Sequence, residues 1–344
     1  MAVLAVLLFH TGPFLIPSVA PKLLSGGFLG VDIFFVLSGF LMTNILLEPK
    51  QSYGRFYVRR VARIFPALYV FLAAQFLYSL RVGGGVTSDL RADLLIALGV
   101  GNWGSSLGIA LPFGVGQTWS LGVEEQLYLL WPLVLVLLGR RDPYRLRYLC
   151  LAGIGLSLVA KVAMFHAGVP APVIYAQTEG RLDDFLVGAL VATMWRTGKE
   201  PVRHLRPLTV VAGVFLALAL AYSQPFASAW LYEGGFTAVA VSTGVILYAC
   251  LHQTPETGFA AWRPLRALGR YSYSIYLWHP LVFLAASHFL PHDTPVRVLW
   301  ATGILVVAAV ASTRLVEEPL RRLAARATTR PKPEAPALLL AGTG

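Results

Sequence analysis

Three groups of ionisable residues stand where apolar sequence predominates, and their chemistry frames the chain. His10 lies inside the run Ala2-Val-Leu-Ala-Val-Leu-Leu-Phe-His-Thr. A titratable side chain at bilayer depth is expensive unless it faces a polar cavity, so it marks a functional site by default. Glu124 and Glu125 sit in Gln117-Thr-Trp-Ser-Leu-Gly-Val-Glu-Glu-Gln-Leu-Tyr. A carboxylate that meets an imidazole fixes its tautomer and stabilises the imidazolium, which is the unit a general base needs. Neighbouring residues project about 100° apart on a helix, so only one of the two glutamates can face such a site squarely. Glu124 shares its face with Ser120 and Tyr128, at i−4 and i+4. The other reading of these groups is a hydrogen-bonded cluster that glues helices together. His279 lies in Tyr-Leu-Trp-His-Pro, where Pro280 frees a backbone carbonyl; its imidazole either joins His10 or simply bonds that carbonyl. His166, His204, His252, His288 and His292 fall at helix ends or in loops and read as solvated or interfacial.

The third group is basic. In Tyr53-Gly-Arg-Phe-Tyr-Val-Arg-Arg-Val-Ala-Arg-Ile-Phe-Pro, Arg55, Arg59 and Arg63 recur at i, i+4 and i+8, with Arg60 beside them. Such a row suits the phosphates of an activated donor arriving from the cytosol. It equally suits anionic headgroups and topology control.

The elements that carry these residues are membrane helices. Of 344 residues, 56% are hydrophobic and only 13% charged, and the mean hydropathy is +0.66, too apolar for a soluble domain. The net charge of +11 is spread through short loops rather than along one solvated face, which argues against nucleic-acid binding. Cys150 and Cys250 lie far apart without ligand-type spacing, so neither a metal site nor a disulfide framework is expected. The first apolar run leads to Pro13 and Pro17 rather than to a small-residue cleavage site, so a cleaved signal peptide is not expected.

The apolar runs predict an all-α bundle of about ten transmembrane helices. They fall near 2–16, 27–47, 64–81, 117–139, 148–166, 180–195, 207–223, 235–252, 271–290 and 296–316. Most of the 28 basic residues fall in the connections after the second, fourth, sixth and eighth helices and after the tenth. Lys50, Arg140, Arg141, Lys199, Arg203, Arg263, Arg330 and Lys332 are among them, whereas the opposite side has Lys22, Arg81, Arg91, Arg181 and Arg297. The positive-inside rule then puts both termini in the cytoplasm of a multi-pass inner or plasma membrane protein. Segment 82–116, the longest connection, is Gly-rich at its start and apolar from Leu94 to Trp103, which suggests a short or re-entrant helix. Residues 1–320 form the membrane domain, and 321–344 read as a disordered cytoplasmic tail. With a 1.5 Å rise per residue, His10 lies about 14 Å and His279 about 12 Å above the cytoplasmic edge. Glu124 and Glu125 lie about 10 to 12 Å, and Asp32 about 8 Å, below the outer face. In a bilayer core of about 30 Å the glutamates come within a few ångströms of the histidine level.

Several stretches, taken in order, resemble the acyltransferase-3 family of integral membrane O-acyltransferases. They are Phe9-His10, Gly27-Phe-Leu-Gly-Val-Asp-Ile-Phe-Phe-Val-Leu-Ser-Gly-Phe-Leu, Phe56-Tyr-Val-Arg-Arg-Val-Ala-Arg-Ile-Phe-Pro, Thr118-Trp-Ser-Leu-Gly-Val-Glu-Glu-Gln, Arg181-Leu-Asp-Asp-Phe-Leu, Tyr271-Ser-Tyr-Ser-Ile-Tyr-Leu-Trp-His-Pro and Glu318-Pro. The resemblance implies transfer of an acyl group, most often acetyl from acetyl-CoA, to a hydroxyl of a cell-surface glycan or of a glycosylated bacterial natural product such as a macrolide. It implies acyl-CoA as co-substrate and no permanently bound cofactor. It implies catalytic roles for His10 and the Glu124/Glu125 pair. Asp32, Ser38, Arg59, Arg60, Arg63, Trp119, Ser120, Arg181, Asp183 and His279 are implied in binding donor or acceptor. Relatives carry a basic residue ahead of the first helix, at a place upstream of Met1, so the chain is expected to start further upstream. The hydrolase-like domain fused to some relatives is not expected after the tenth helix.

The expected chemistry has neutral His10 take the acceptor proton while a glutamate holds its imidazole and arginines anchor the CoA phosphates. A covalent acyl-histidine relay is the alternative within the same site. A transporter or flippase would also use buried His and Glu, for proton coupling, without needing the arginine row.

Overall fold

A computed structural model describes residues 2–15, 25–49, 51–83, 85–138, 142–198, 204–252, 262–290 and 294–328. Lys22, Lys50, Arg140, Arg141, Lys199, Arg203, His292, Arg330 and Lys332 lie outside them. Every described element is helical.

Helix α1 (Ala2–Leu15) is followed by a 3₁₀ turn (Ser25–Leu29) that opens into α2 (Gly30–Leu46). Next come α3 (Tyr53–Val82) and the shorter α4 (Val86–Ala97). A series of 3₁₀ turns between Gly101 and Thr118 leads to α5 (Trp119–Leu138). Helices α6 (Pro143–His166), α7 (Ala171–Ala176), α8 (Leu182–Thr197) and α9 (Leu205–Tyr222) follow. A π-turn (Leu231–Gly235) enters α10 (Phe236–Leu251), and α11 (Arg263–Phe289) comes next. Helix α12 (Thr294–Ala311) continues through a π-turn (Ser312–Glu317) into α13 (Glu318–Thr328).

Each of the ten expected spans coincides with a helix, and seven helical stretches are long and apolar enough to cross a membrane. The chain is a multi-pass membrane protein. Helices α1 and α8, of 14 and 16 residues, are shorter than a full crossing, and α11 carries three arginines in its first turns. Helix α9 shows how the outer ring meets lipid: Leu208, Val210, Val211, Val214 and Leu218 are all exposed, as suits a helix whose surroundings are as apolar as its side chains.

The centre is the crossing of α2 and α8, flanked by α6 and α10. Its closeness depends on two glycines. A Cβ on Gly39 would lie 2.0 Å from the Phe185 carbonyl oxygen, and one on Gly188 would lie 1.9 Å from that of Val36. Small residues let membrane helices approach to backbone contact, where packing replaces the missing hydrophobic drive. Phe35, Met42, Val123, Trp131, Phe185 and Leu186 fill the space beside the crossing.

Three boundaries differ from the sequence expectation. The arginine row is not in a loop, because α3 begins at Tyr53 and carries it on its first turns. Residues 321–328, expected to open a disordered tail, form most of α13, which packs against α3. Its alternation of Leu320 and Leu323 with Arg321, Arg322 and Arg326 gives an amphipathic helix a reason to stay folded. In segment 82–116 the regular helix covers Val86–Ala97 rather than Leu94–Trp103.

Candidate active site

Helices α2, α3, α5 and α11 enclose a cavity of about 360 Å³, lined on its polar side by Ser38, Arg60, Arg63, Ser120, Glu124, Tyr128 and Tyr276. Ala2 and Val3 of α1 close another side. The 3.6-residue period accounts for much of the wall: Ser120, Glu124 and Tyr128 stack along one face of α5. The Ser38 and Tyr128 hydroxyls are 2.6 Å apart, and both hydrogen-bond to Glu124. The Arg60 guanidinium lies 4.3 Å from the Tyr128 ring centroid, a cation–π contact. Arg60 and Arg63 both act electrostatically on Glu124, yet neither makes a salt bridge within 4.0 Å among the described residues. They are cations held ready rather than neutralised.

Above the cavity stand the two histidines. His279 Nε2 is 3.4 Å from His10 Nδ1, and the rings meet edge to face at 4.9 Å. On both helices the cavity-lining residues precede the histidine: Val3 is followed by His10 on α1, and Tyr276 by His279 on α11. Three residues of helix put His279 about 4.5 Å beyond Tyr276. Tyr276 joins the two levels. Its hydroxyl is 2.6 Å from Ser120 Oγ and donates to the Gln117 carbonyl at 3.0 Å, while its own carbonyl accepts from His279 Nδ1 at 2.7 Å.

The carboxylate expected against His10 is elsewhere. His10 Nδ1 donates to the Val6 carbonyl at 2.9 Å and has His279 as its other polar neighbour. Helix α1 packs on α2, α11 and α12, whereas the Glu124 face of α5 is tied to α2 and α3. Glu125 projects differently again. A Cβ on Gly99, a residue at φ +72°, would lie 2.4 Å from its Oε2, and neither carboxylate oxygen has a hydrogen-bond partner among the described residues. The adjacent Gln126 pins that turn by donating to Gly99 O and Asn102 Oδ1. Arg59 also stays out of the cavity, its Nε donating to Thr328 Oγ1 on α13.

Asp32, Arg181, Asp183 and Trp119 form part of a second polar group. Arg181 Nη1 bonds Asp32 Oδ1 at 2.5 Å and lies 3.6 Å from Asp184. Its guanidinium is sandwiched between Tyr175 and Phe236, each 4.1 Å from the ring centroid, with Trp119 at 5.9 Å. Lys161 Nζ bonds Asp183 at 2.6 Å, and Ser157 and Thr237 donate to the same carboxylate. All five charged residues are at most 1% exposed. Lys161, Asp184 and Thr237 were not picked out by sequence; the one signal was a lysine inside the apolar sixth helix, which demands a counter-charge. Among the described residues no cluster of His, Cys, Asp or Glu is placed to hold a metal ion.

A family model described as an acyltransferase domain matches residues 1–314. The chain is 32% identical over 323 residues to peptidoglycan O-acetyltransferase OatA of Listeria monocytogenes, covering 86% of this chain and 52% of that protein. It is 28% identical to putative peptidoglycan O-acetyltransferase YrhL of Bacillus subtilis, over 89% of this chain and 52% of the relative. It is 30% identical to O-acetyltransferase OatA of Staphylococcus aureus, over 93% and 56%. The chain thus spans about half the length of the curated relatives it matches. No solved structure matches.

Proposed function

The chain belongs to this acyltransferase family, and from that premise we propose that it transfers an acetyl group from cytoplasmic acetyl-CoA to a hydroxyl of a cell-surface glycan, with peptidoglycan as the reference acceptor. The basic end of the bundle is then the cytoplasmic one, and the membrane is the plasma membrane. The observation that carries the reading is an arginine pair without a salt bridge and a carboxylate lining one cavity, with a histidine pair just beyond its Tyr276 wall. Arg60 and Arg63 meet the CoA phosphates, which charge-assisted hydrogen bonds suit. The apolar wall, including Phe34, Phe35 and Leu268, takes the pantetheine arm and leads the thioester toward Tyr276. Glu124, fixed by Ser38 and Tyr128, sets the position of Arg60 and Arg63 rather than the imidazole of His10.

In the chemical step His10 Nε2 takes the proton of the acceptor hydroxyl as its oxygen attacks the thioester carbonyl. Collapse of the tetrahedral intermediate expels the CoA thiolate, and the imidazolium returns the proton to it. Purified protein in proteoliposomes, given acetyl-CoA labelled in the acetyl group and glycan fragments, is expected to label the glycan. His10→Ala is expected to lower kcat by about 100- to 10,000-fold, the usual worth of a positioned base. Retained turnover in that variant removes the histidine from the mechanism. Movement of glycan across the bilayer without acetyl-CoA, and without labelling, sinks the acetyl-transfer reading in favour of transport.

A further inference from the structure

The histidine pair carries information about where its protons sit. Both Nδ1 atoms face backbone carbonyls, His10 toward Val6 at 2.9 Å and His279 toward Tyr276 at 2.7 Å. A carbonyl only accepts, so each Nδ1 bears the hydrogen. In neutral His279 that leaves Nε2 as a lone-pair acceptor, and Nε2 is the atom that faces His10 Nδ1–H at 3.4 Å. In neutral His10 the lone pair is likewise on Nε2, which makes no hydrogen bond among the described residues.

The origin of this arrangement is one turn away. Helix α11 runs from Arg263 to Phe289 through Pro280. In a regular helix the Tyr276 carbonyl would accept from the backbone N–H of residue 280, but proline has none. The imidazole of the preceding residue, His279, supplies the missing donor. His279 Nδ1 is thereby committed to protonation, and His10 Nδ1 has an acceptor waiting in addition to Val6.

We propose that Pro280 is a positioning residue. By withholding a backbone proton from Tyr276 it commits His279 Nδ1 to protonation. The bare Nε2 of His279 then gives His10 Nδ1–H a second acceptor beside the Val6 carbonyl, which reinforces the tautomer in which the first-helix imidazole presents an unprotonated Nε2. The catalytic consequence rests on the acetyl-transfer reading; the tautomer assignment does not.

The experiment uses the full chain in lipid nanodiscs with ¹⁵N-labelled histidine, whose ring nitrogens report directly by NMR which one carries the proton. The wild type is expected to show both His10 and His279 protonated at Nδ1 and bare at Nε2, the two assigned by comparing His10→Ala and His279→Ala. A proton on Nε2 of either neutral ring overturns the proposal without any proline variant. Pro280→Ala restores an N–H opposite the Tyr276 carbonyl. It is expected to mix the tautomers of His279 and to shift those of His10 by a smaller amount, because the Val6 carbonyl remains. It is also expected to lower kcat about 10-fold or more, a fraction of what a positioned base contributes, with KM for acetyl-CoA unchanged. Unaltered tautomers in Pro280→Ala also overturn it. His279→Gln keeps an amide donor and an acceptor oxygen, and is expected to hold the His10 tautomer better than His279→Ala does; equal disturbance by the two counts against the relay. If the tautomers are as expected but His10→Ala still transfers acetyl, the catalytic reading fails and the positioning of the pair stands.

Discussion

Two charged groups among the described residues are built on opposite terms. In the Asp32, Arg181, Asp183, Asp184 and Lys161 group both cations are paired and every member is at most 1% exposed. At the cavity, Arg60 and Arg63 make no salt bridge among the described residues, and the carboxylates that act on them are held by hydroxyls, Glu124 by Ser38 and Tyr128 and Glu317 by Ser274 and Thr313. The sealed group sets three carboxylates against two cations and leaves Asp32 Oδ2 and both Asp184 oxygens without a hydrogen bond among the described residues. Its cations, however, are spent on pairing, which recovers part of the desolvation cost and fixes which helices meet. Unmatched cations in an open cavity keep their hydrogen-bonding capacity for something that arrives. Ionisable residues at bilayer depth therefore divide by what faces them, not by how deep they lie.

The largest effect that would break this division is at Arg181. Arg181→Ala leaves Asp32 buried without its partner and is expected to destabilise the protein by about 3–5 kcal/mol, the typical result of halving a buried pair. Loss of folded protein in detergent, followed by thermal unfolding, checks this. A folded and inactive R181A protein would instead move the sealed group into the active site. A smaller effect is expected from Arg60→Ala, which should leave the fold intact and raise KM for acetyl-CoA about 10-fold, within the worth of a charge-assisted hydrogen bond. A fall in kcat at unchanged KM would show that this cation serves the chemistry rather than donor binding. The smallest is expected at Arg59, exposed and turned to Thr328: Arg59→Ala should change either constant less than about twofold, as for most exposed polar contacts. An effect equal to that of R60A would mean that the whole row, and not the cavity pair alone, meets the donor.

The sequence made the helix positions legible because apolar runs must match hydrocarbon thickness. It also brought His10 and His279 to one level, and the depth count held because both sit on helices that lead away from the same cavity. What it could not supply was pairing between helices. Asp32 and Arg181 are separated by 149 positions, and only the tight crossing at Gly39 and Gly188 brings α2 and α8 together. Motif resemblance placed both residues at a binding site, whereas the structure sets them apart from the cavity in the sealed group. The choice between Glu124 and Glu125 was equally closed to periodicity, since a 100° difference selects a face only once the neighbours of α5 are known. The end of the bundle escaped for another reason: the apolar signal stops at the tenth span, and α13 is held by its packing against α3.

That last helix sets a dimension. From Pro295 to Thr328 the chain is helical for 34 residues, a rod of about 51 Å, while the hydrocarbon it crosses is about 30 Å thick. The surplus has to project, and it does so beside the arginine-bearing start of α3. Because the surplus packs against α3, the last long span is coupled directly to the helix that carries Arg60 and Arg63.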